Sequence, residues 1–298
     1  MPEASGTGPI NREVPLASVR LCYAENIRRS AGLRSRALAE AFGVVPRERY
    51  LGPGPWQVCQ FGDYELTEDA DPRHVYHDVL IAIDASRKLN NGHPSSLAGW
   101  LDELALAAGE TVLHIGCGTG YYTAIMAETV GATGRVTALE IDAELAERAR
   151  VNLADYRNVT VITANGTSYD PGESNAIFVN AGVTHPETQW LDRLVNGGRL
   201  VLPLTATKDG AFGSGKTGNS GGNILLVTRK QDQYAASFIG PVSIFASSEG
   251  RNPEYNRVLQ RAFLELSSGK REAPKMIRRD KHKRDSNCWI HADSYCLW

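Results

Sequence analysis

The chain has 298 residues, and its hydrophobic content of 42% is typical of a globular protein with a sizeable core. Its 32 Lys and Arg residues and 34 Asp and Glu residues give a net charge of −2, which argues against a nucleic-acid partner attracted by overall charge. The sequence contains no apolar run long enough to span a membrane, and residues 1–15 lack the basic start and apolar core of a signal peptide. We therefore expect no membrane partner.

The cysteine pattern indicates a reducing compartment. The cysteines are widely spaced, odd in number and include no C-x-x-C pair. These properties argue against a disulfide framework and against a zinc site, so we expect a cytoplasmic protein without a bound metal. The cysteines are Cys22, Cys59, Cys117, Cys288 and Cys296.

The N-terminal part of the chain is predicted to be a helical segment over residues 17–96, preceded by a disordered lead at residues 1–16. Apolar residues at three- and four-residue intervals predict helices over 17–29 and 33–42. A break follows at Gly52–Pro55.

A turn is predicted before the main sheet. Residues 56–75 are polar and typical of a loop, and residues 76–84 are expected to pair as an edge strand. Asn-Gly and His-Pro dipeptides then mark a turn at residues 89–97. Ser95 is positioned, like Ser96 beside it, to cap a helix over 97–106.

A glycine-rich turn lies at the centre of the predicted fold. Thr111–Ile115 is a short apolar run typical of a buried parallel strand, and Gly116, Gly118 and Gly120 follow it directly. Glycines allow a tight turn and a close approach of the backbone to a ligand. A helix is predicted over 121–130.

An acidic residue lies at the expected distance after this turn. Residues 135–139 are predicted to form the next strand, and Glu140 stands at its carboxyl end. A carboxylate about 20 residues after a glycine turn is suited to the hydroxyl groups of a ribose. The strand, turn, helix and acid together predict a nucleotide-like ligand.

The turn itself distinguishes between such ligands. It has the pattern G-x-G-x-G, not the G-x-G-x-x-G of dinucleotide enzymes, and no G-K-[ST] of a P-loop follows it. S-adenosylmethionine contains ribose and adenine but no phosphate, so it fits this turn better than the phosphate-containing alternatives.

The following segments complete a predicted parallel α/β sheet with helices on both faces. Ligands of such sheets bind beyond the carboxyl ends of the strands. The predicted strand ends carry Gly116, Glu140, Asn165 and Asn180. Predicted strands are 158–163, 176–179 and 199–203, and predicted helices are 143–154 and 186–194.

The C-terminal region is predicted to contain a flexible tip or lid at residues 205–222, two further strands over 223–229 and 235–245, and a helix over 253–266. Residues 267–285 hold eight Lys or Arg and three Asp or Glu, without interleaved aromatic residues for base stacking. A solvated linker is favoured there over a nucleic-acid arm.

The last residues of the chain differ in composition from a disordered tail. Residues 287–298 contain two tryptophans, a tyrosine and two cysteines, which are residue types that favour burial. We expect this segment to dock on the body of the protein.

These motifs resemble those of protein-L-isoaspartate O-methyltransferases, a branch of the class I S-adenosylmethionine-dependent methyltransferases. The similarity extends from about Leu38 to Pro203. It implies a Rossmann-like, doubly wound, mostly parallel seven-stranded sheet with N-terminal helices, a cofactor core at residues 97–245 and a C-terminal extension at 246–298. The matching segments are Val45–Glu48, Tyr76-x-Asp78, His93–Pro94, His114–Tyr121, Asn158–Val159, Asn165–Gly166 and Gly197–Pro203.

The chain departs from the family pattern at three positions. Gly92 stands where the family has a serine that helps to hold the substrate carboxylate. Asn165 replaces the aspartate of a Gly-Asp-Gly segment and can still accept a hydrogen bond from an adenine amino group. Asn175 replaces an aspartate at the start of the fourth strand. These departures predict that the cofactor site is kept and that the methyl acceptor has changed.

The predicted site has a cofactor side and an acceptor side. Acceptor-side candidates are His93 and Ser95 in the turn and Asn180 and His185 after the fourth strand; a histidine is the usual base where the acceptor has a proton to lose. The predicted cofactor-binding residues are Gly116, Cys117, Gly118, Gly120, Tyr121, Glu140, Ile141, Asn165, Gly166 and Asn180.

Three functions remain open from the sequence. The first is methylation of a carboxylate on a peptide or small metabolite, which is ionised at neutral pH and needs no base. The second is methylation of a hydroxyl or amine of a natural-product intermediate. The third is binding of S-adenosylmethionine without turnover.

Overall fold

The computed structural model describes residues 10–60, 63–207, 219–280, 282–283 and 285–298. Most of the predicted lead and most of the predicted tip or lid lie outside these ranges. The chain forms two compact units that interleave along the sequence. The first unit contains residues up to 109 with 117–135 and 142–161, and the second contains residues 110–116, 136–141 and 162–298.

The first unit is mainly helical. Ser35 caps its second helix by accepting a hydrogen bond from the Leu38 amide, and Asp142 caps its fifth helix in the same way. The helices are α1 (Leu16–Ala31), α2 (Arg36–Val44), α3 (Pro94–Glu103), α4 (Tyr121–Val130) and α5 (Ala143–Asn152), with 3-10 helices at Arg47–Tyr50 and Pro72–Val75.

Two short hairpins in the first unit differ from the sequence prediction. Strands β1 (Gln57–Gln60) and β2 (Asp63–Leu66) pair antiparallel where a loop was predicted. All four β2 residues are exposed, so the strand lacks the apolar alternation that reveals a strand in a sequence. The predicted edge strand 76–84 is reduced to β3 (Ala82–Asp84), which pairs with β4 (Leu89–Asn90).

An aromatic cluster forms part of the core of the first unit. Tyr121 packs at ring-centroid distances of 5.6 Å from Tyr50, 6.3 Å from Phe42 and 5.1 Å from Tyr122. Its hydroxyl lies 3.4 Å from that of Tyr23. These rings join α1, α2 and α4, the last of which begins directly after the glycine turn.

One sheet of ten strands has the order β7-β6-β5-β8-β9-β10-β11-β12-β14-β13. β5 pairs parallel with β8, and β8 with β9, whereas the pairs from β9 onward are antiparallel. The strands are β5 (Thr111–Ile115), β6 (Arg135–Glu140), β7 (Val159–Thr163), β8 (Ser174–Val179), β9 (Leu194–Ala206), β10 (Asn219–Lys230), β11 (Gln233–Phe245), β12 (Met276–Arg278), β13 (Ile290–His291) and β14 (Cys296–Leu297).

This sheet confirms the predicted α/β class and extends it. The predicted seven strands correspond to β5 to β11, and β12 to β14 from the C-terminal extension add three more. The chain runs outward from β5 through β6 to β7 on one side and continues with β8 and β9 on the other. β5 and β8 therefore flank the topological switch point, where ligands of such sheets bind.

Two helices belong to the second unit, α6 (Thr188–Arg193) and α7 (Pro253–Ser267). The helix predicted over 186–194 is shorter in the structure because β9 begins at Leu194. That strand runs through Gly197 and Gly198 and therefore begins five residues before the predicted start at residue 199.

The aromatic tail and part of the basic segment are packed in the second unit. Residues 276–278 form β12 inside the predicted linker, whereas most of the other described residues of 267–285 are exposed. Trp289 is 1% exposed and packs on Phe238 and Phe263 at centroid distances of 5.0 and 5.6 Å. The Tyr295 hydroxyl donates to the Pro186 carbonyl at 2.6 Å. In the described part of the chain, no helix is long and apolar enough to cross a membrane.

Candidate functional site

Backbone hydrogen bonds bring the carboxyl ends of four strands together in the second unit. The Gly116 amide donates to the Leu139 carbonyl of β6 at 2.8 Å, and the Asn180 amide donates to the Ile115 carbonyl of β5 at 2.8 Å. The Ala164 amide, just after β7, donates to the Glu140 carbonyl at 3.0 Å. Four of the predicted cofactor-side residues therefore lie at the carboxyl ends of the adjacent strands β7, β6, β5 and β8. They are Gly116, Glu140, Asn165 and Asn180.

The first glycine of the turn has a backbone conformation that favours glycine. Gly116 has a φ of +77°, which residues with a side chain rarely adopt. A β-carbon added there would be in ordinary contact with the Asn180 carbonyl oxygen, at 3.5 Å, and with Ala181, at 3.9 Å. The constraint at Gly116 is therefore the backbone conformation and not a steric clash.

The rest of the turn belongs to the first unit, and its two glycines differ. A β-carbon on Gly118 would meet nothing closer than Ile83 at 3.8 Å, although its φ is +56°. A β-carbon on Gly120 would lie 2.7 Å from Leu153, because α5 packs there. Gly118 therefore leaves room for a ligand, whereas Gly120 is required by packing inside the protein. Cys117 between them is buried.

A buried carboxylate and an exposed apolar side chain lie together at the end of β6. Glu140 is 7% exposed. Ile141 directly follows it and is 48% exposed, which is unusual for a large aliphatic residue at the edge of a buried sheet. A ribose needs acceptors for its hydroxyl groups, and an adenine ring needs an apolar surface, so this pair is suited to an adenosine.

The loop after β7 is fixed by local contacts. The Asn165 side-chain oxygen accepts from both the amide and the hydroxyl of Thr167 at 2.9 Å, so its two lone pairs are already used. The predicted bond from this oxygen to an adenine amino group requires those contacts to change. Gly166 has no room for a β-carbon, which would lie 2.4 Å from Ile115. Its carbonyl accepts from the Trp190 indole at 2.9 Å.

Two predicted site residues offer different groups to a ligand. The Tyr121 side chain is 2% exposed and packs in the aromatic cluster of the first unit, so only its backbone, at the start of α4, is free to approach a ligand. The Asn180 side chain makes no hydrogen bond to the residues that the structure describes, so its amide group is available to a ligand.

The predicted acceptor turn contains a compact polar group. The His93 Nδ1 atom lies 3.3 Å from an Asp78 carboxylate oxygen and 3.3 Å from the Ser95 hydroxyl. The same Asp78 oxygen accepts from the Ser95 amide at 2.8 Å and thereby caps α3. The His93 side chain is 43% exposed, and its Nδ1 atom faces both the Asp78 carboxylate and the Ser95 hydroxyl. His93 and Ser95 are thus brought together, with Asp78 as a third member that sequence reasoning did not select.

Gly92 in this turn adopts a conformation that favours glycine. Its φ is +79°, and an added β-carbon would lie 2.9 Å from the end of the Leu97 side chain and 3.7 Å from Tyr122. Its amide donates to the Asn90 side chain at 3.0 Å. A serine at this position would be strained in its backbone and would displace the Leu97 side chain.

A buried arginine organises the segment that carries Asp78. The Arg47 guanidinium, which is fully buried, donates to the Val75 carbonyl at 2.7 Å, the His77 carbonyl at 2.6 Å and the Val79 carbonyl at 2.8 Å. It also reaches the Asn91 side chain, at 3.3 Å. The Val45–Glu48 segment, which the sequence offered only as a motif match, therefore supports the acceptor turn.

His185 lies in a separate polar group of the second unit. Its Nδ1 atom is 3.0 Å from the Thr184 hydroxyl, and its Nε2 atom is 3.5 Å from a Glu187 oxygen. Burial lowers the pKa of His185 to about 4 and raises the pKa of Glu187. His185 is therefore neutral at physiological pH, and its ring packs on Tyr255. Both ring nitrogens face groups of its own unit.

Comparison with known proteins identifies relatives of this chain. Residues 24–220 match the family model of protein-L-isoaspartate(D-aspartate) O-methyltransferases. The protein-L-isoaspartate O-methyltransferase of Aeropyrum pernix is 32% identical over 196 residues, which cover 64% of this chain and 68% of the relative. That of Methanothrix thermoacetophila is 31% identical over 214 residues, or 70% and 87% of the two chains.

Solved structures share the fold. A protein-L-isoaspartate O-methyltransferase structure aligns with a TM-score of 0.62 at 22% identity and covers 82% of this chain and 69% of that one. A Plasmodium falciparum protein solved with S-adenosyl-L-homocysteine aligns with a TM-score of 0.57 at 19% identity and covers 78% and 98%. The fold and the matched family define an S-adenosylmethionine-dependent methyltransferase of the class I type. The chain belongs to the protein-L-isoaspartate(D-aspartate) O-methyltransferase family.

The residues present fit this cofactor. In the second unit, Gly116 has a positive φ directly after β5. The buried Glu140 carboxylate is suited to the ribose hydroxyls, and the exposed Ile141 is suited to a face of the adenine ring. These assignments are predictions for the individual residues.

Proposed function

We propose that the chain transfers the methyl group of S-adenosylmethionine to a carboxylate of an isoaspartyl-type residue or a similar small acid. We further propose that its acceptor is a dedicated peptide or metabolite, and not the general range of damaged proteins. Support for the reaction comes from the names of its relatives. Support for a changed acceptor comes from one observation, the positive φ of +79° at Gly92, which favours glycine over the family's serine.

The reaction requires positioning more than proton transfer. The cofactor supplies a methyl group on a positively charged sulfur; as the carboxylate oxygen bonds to the methyl carbon, the carbon–sulfur bond breaks and leaves a neutral thioether. The acceptor carboxylate is already ionised at neutral pH. The protein must therefore hold the oxygen in line with the methyl group and exclude water.

The acceptor turn supplies groups that can hold a carboxylate. The Ser95 hydroxyl and the ring of His93 are the nearest candidates, because both belong to the polar group that Asp78 anchors. The family serine is absent at Gly92, so a carboxylate bound in the family's way loses one hydroxyl donor. One hydrogen bond to a charged group contributes about 1.5 to 3 kcal/mol, so its loss predicts poorer activity on plain isoaspartyl peptides.

The runner-up function is methylation of a hydroxyl or amine. It draws support from the His93–Asp78 contact of 3.3 Å, because a histidine oriented by a carboxylate is a common general base. A carboxylate acceptor has no use for such a base. Binding of S-adenosylmethionine without turnover is the third candidate.

The deciding assay compares two synthetic peptides that differ only in an isoaspartyl or aspartyl linkage. We expect slow methylation of both and faster methylation of a dedicated acceptor. Mild base should release the methyl group from the product, because an ester hydrolyses there and an ether or N-methyl group does not. Fast, selective methylation of the isoaspartyl peptide would contradict the changed acceptor, and absence of S-adenosylhomocysteine with every acceptor would favour the non-catalytic alternative.

A further inference from the structure

Four metal-binding side chains meet in the C-terminal extension. They are His282, Cys288, His291 and Cys296, and their ligand atoms all lie within 4.8 Å of one another. The pattern is H-x5-C-x2-H-x4-C, which contains no C-x-x-C pair. The spacing of the cysteines alone therefore argued against a zinc site. In the folded chain, two cysteines and two histidines lie close enough together to bind one metal ion.

The backbone of the extension explains why these residues meet. His291 and Cys296 are direct cross-strand partners in the hairpin formed by β13 and β14. Cys296 also pairs with Arg278 of β12, on the other side of β14. Cys288 precedes β13 and donates its amide to the Asp285 carbonyl at 3.3 Å. Three of the four side chains are thus placed by hydrogen-bonded backbone.

The distances approach those of a tetrahedral site. The Cys288 sulfur lies 3.8 Å from His282 Nε2 and 3.8 Å from His291 Nδ1. Zinc bound by two sulfurs and two nitrogens, at about 2.3 and 2.0 Å, separates its ligand atoms by about 3.3 to 3.8 Å. The sulfurs of Cys288 and Cys296 are 2.8 Å apart as free thiols. Rotation of the two side chains that moves the sulfurs apart by about 1 Å gives the sulfur–sulfur distance of a tetrahedral zinc site.

A hydrogen bond to the backbone orients the ring of His282. The Nδ1 atom of His282 lies 2.9 Å from the Asp280 carbonyl oxygen, which can only accept. Nδ1 therefore carries the hydrogen, and the lone pair of the neutral ring is on Nε2, the atom that faces Cys288. Such a bond on the remote nitrogen is usual for histidines that bind metals.

We propose that His282, Cys288, His291 and Cys296 bind one Zn²⁺ ion as a structural site. Two sulfurs and two imidazole nitrogens in a tetrahedral arrangement favour zinc over magnesium or calcium, which prefer oxygen ligands. Cys288 is 3% and Cys296 0% exposed, and four protein ligands leave no open position for a substrate. The ion ties the segment after β12 to the terminal hairpin and so fixes the outer part of the sheet.

Metal analysis of the full-length chain tests this proposal. The protein is purified under reducing conditions without chelators, and its zinc content is measured by plasma mass spectrometry. We expect about one zinc per chain in the wild type and almost none in Cys288→Ser and Cys296→Ser, by the loss of a ligand. Cys22→Ser, which removes an exposed cysteine on α1, is the matched control and should keep its zinc.

Measurements on the unaltered chain cover the case in which the variants fail to fold. Cobalt substituted for zinc should give the visible spectrum of a tetrahedral site with thiolate ligands, and a strong chelator should lower the melting temperature. A folded wild-type chain that contains no transition metal and takes up none on titration would overturn the proposal. A Cys288–Cys296 disulfide in that reduced preparation would overturn it as well. None of these measurements depends on methyl transfer.

Discussion

Glycines of the turn after β5 are constrained for different reasons. Gly116 and Gly118 have positive φ values and only ordinary contacts beside an added β-carbon, whereas Gly120 has a positive φ and a close neighbour in Leu153. The sequence motif does not distinguish these three glycines. The packing of Leu153 after α5 shows that Gly120 is required by the fold.

Alanine at Gly118 should weaken cofactor binding without a matching loss of fold. Gly32, which caps α1 with a φ of +63° and has no atom within 4 Å of an added β-carbon, is the matched control. Gly118→Ala and Gly32→Ala should each lower the free energy of unfolding by about 1 to 2 kcal/mol, because both force alanine into the left-handed region. Calorimetry with S-adenosylhomocysteine should show lost affinity in Gly118→Ala only. Equal affinities would remove Gly118 from the site.

Replacement of Glu140 tests the ribose contact. Glu140→Ala removes a buried carboxylate at the end of β6, and we expect cofactor affinity to fall by about 1.5 to 3 kcal/mol, the range for a hydrogen bond to a charged group. Glu147→Ala, on the exposed face of α5, is the control. Unchanged affinity by calorimetry would show that another group binds the ribose.

At the scale of elements, the sequence predicted the helices and the central strands because their apolar periodicity is local. It missed β1 and β2, whose residues are mostly polar, and β12, which lies in a stretch of high charge. It also missed the role of Arg47, because the carbonyls that this side chain contacts lie roughly 30 positions away. The Val45–Glu48 motif included Arg47, but a motif gives no information about which distant carbonyls the side chain contacts.

Removal of the Arg47 guanidinium should loosen the acceptor turn. Arg47→Lys keeps the charge but cannot donate to three carbonyls from one planar group, so we expect a loss of about 3 kcal/mol in the free energy of unfolding. Arg49→Lys, which alters a partly exposed pair with Asp155, should cost less than about 1 kcal/mol. The KM for the acceptor should rise in Arg47→Lys while cofactor affinity is kept. A normal urea midpoint would contradict this role.

His93 should affect turnover more than cofactor binding. Its contacts are to Asp78 and Ser95 in the acceptor turn of the first unit. His93→Ala should therefore lower kcat while the calorimetric affinity for S-adenosylhomocysteine stays within about twofold, the pattern of a group that acts on the acceptor. Loss of cofactor affinity in parallel with turnover would assign His93 to the cofactor side instead.

At the scale of the whole molecule, the buried His114 and the partly buried His185 make the stability of the fold depend on pH. Burial lowers the pKa of His114 to about 3 and that of His185 to about 4. His114 lies inside β5 against Phe178, as expected of a core histidine. Both are neutral in the folded chain at pH values where the unfolded chain, with a histidine pKa of about 6.5, already binds protons.

Acid should therefore destabilise the fold before its carboxylates titrate. The unfolded state binds more protons between pH 6.5 and the folded pKa values, so stability is complete above pH 6.5 and falls as the pH decreases toward 4. His185 contributes up to about 3 kcal/mol of this loss. Urea midpoints measured across this range should fall in the wild type and fall less steeply in His185→Gln. Parallel curves would show that His185 does not carry the effect.

Gly92 and Leu97 are coupled in the substitutions that each position tolerates. A serine at position 92 would place its β-carbon 2.9 Å from the Leu97 side chain and would have to adopt a left-handed backbone. A smaller residue at position 97 removes the first of these costs and leaves the second. That change costs about 2 to 5 kcal/mol by itself, because Leu97 is buried. We therefore expect the stability effects of substitutions at positions 92 and 97 to be non-additive.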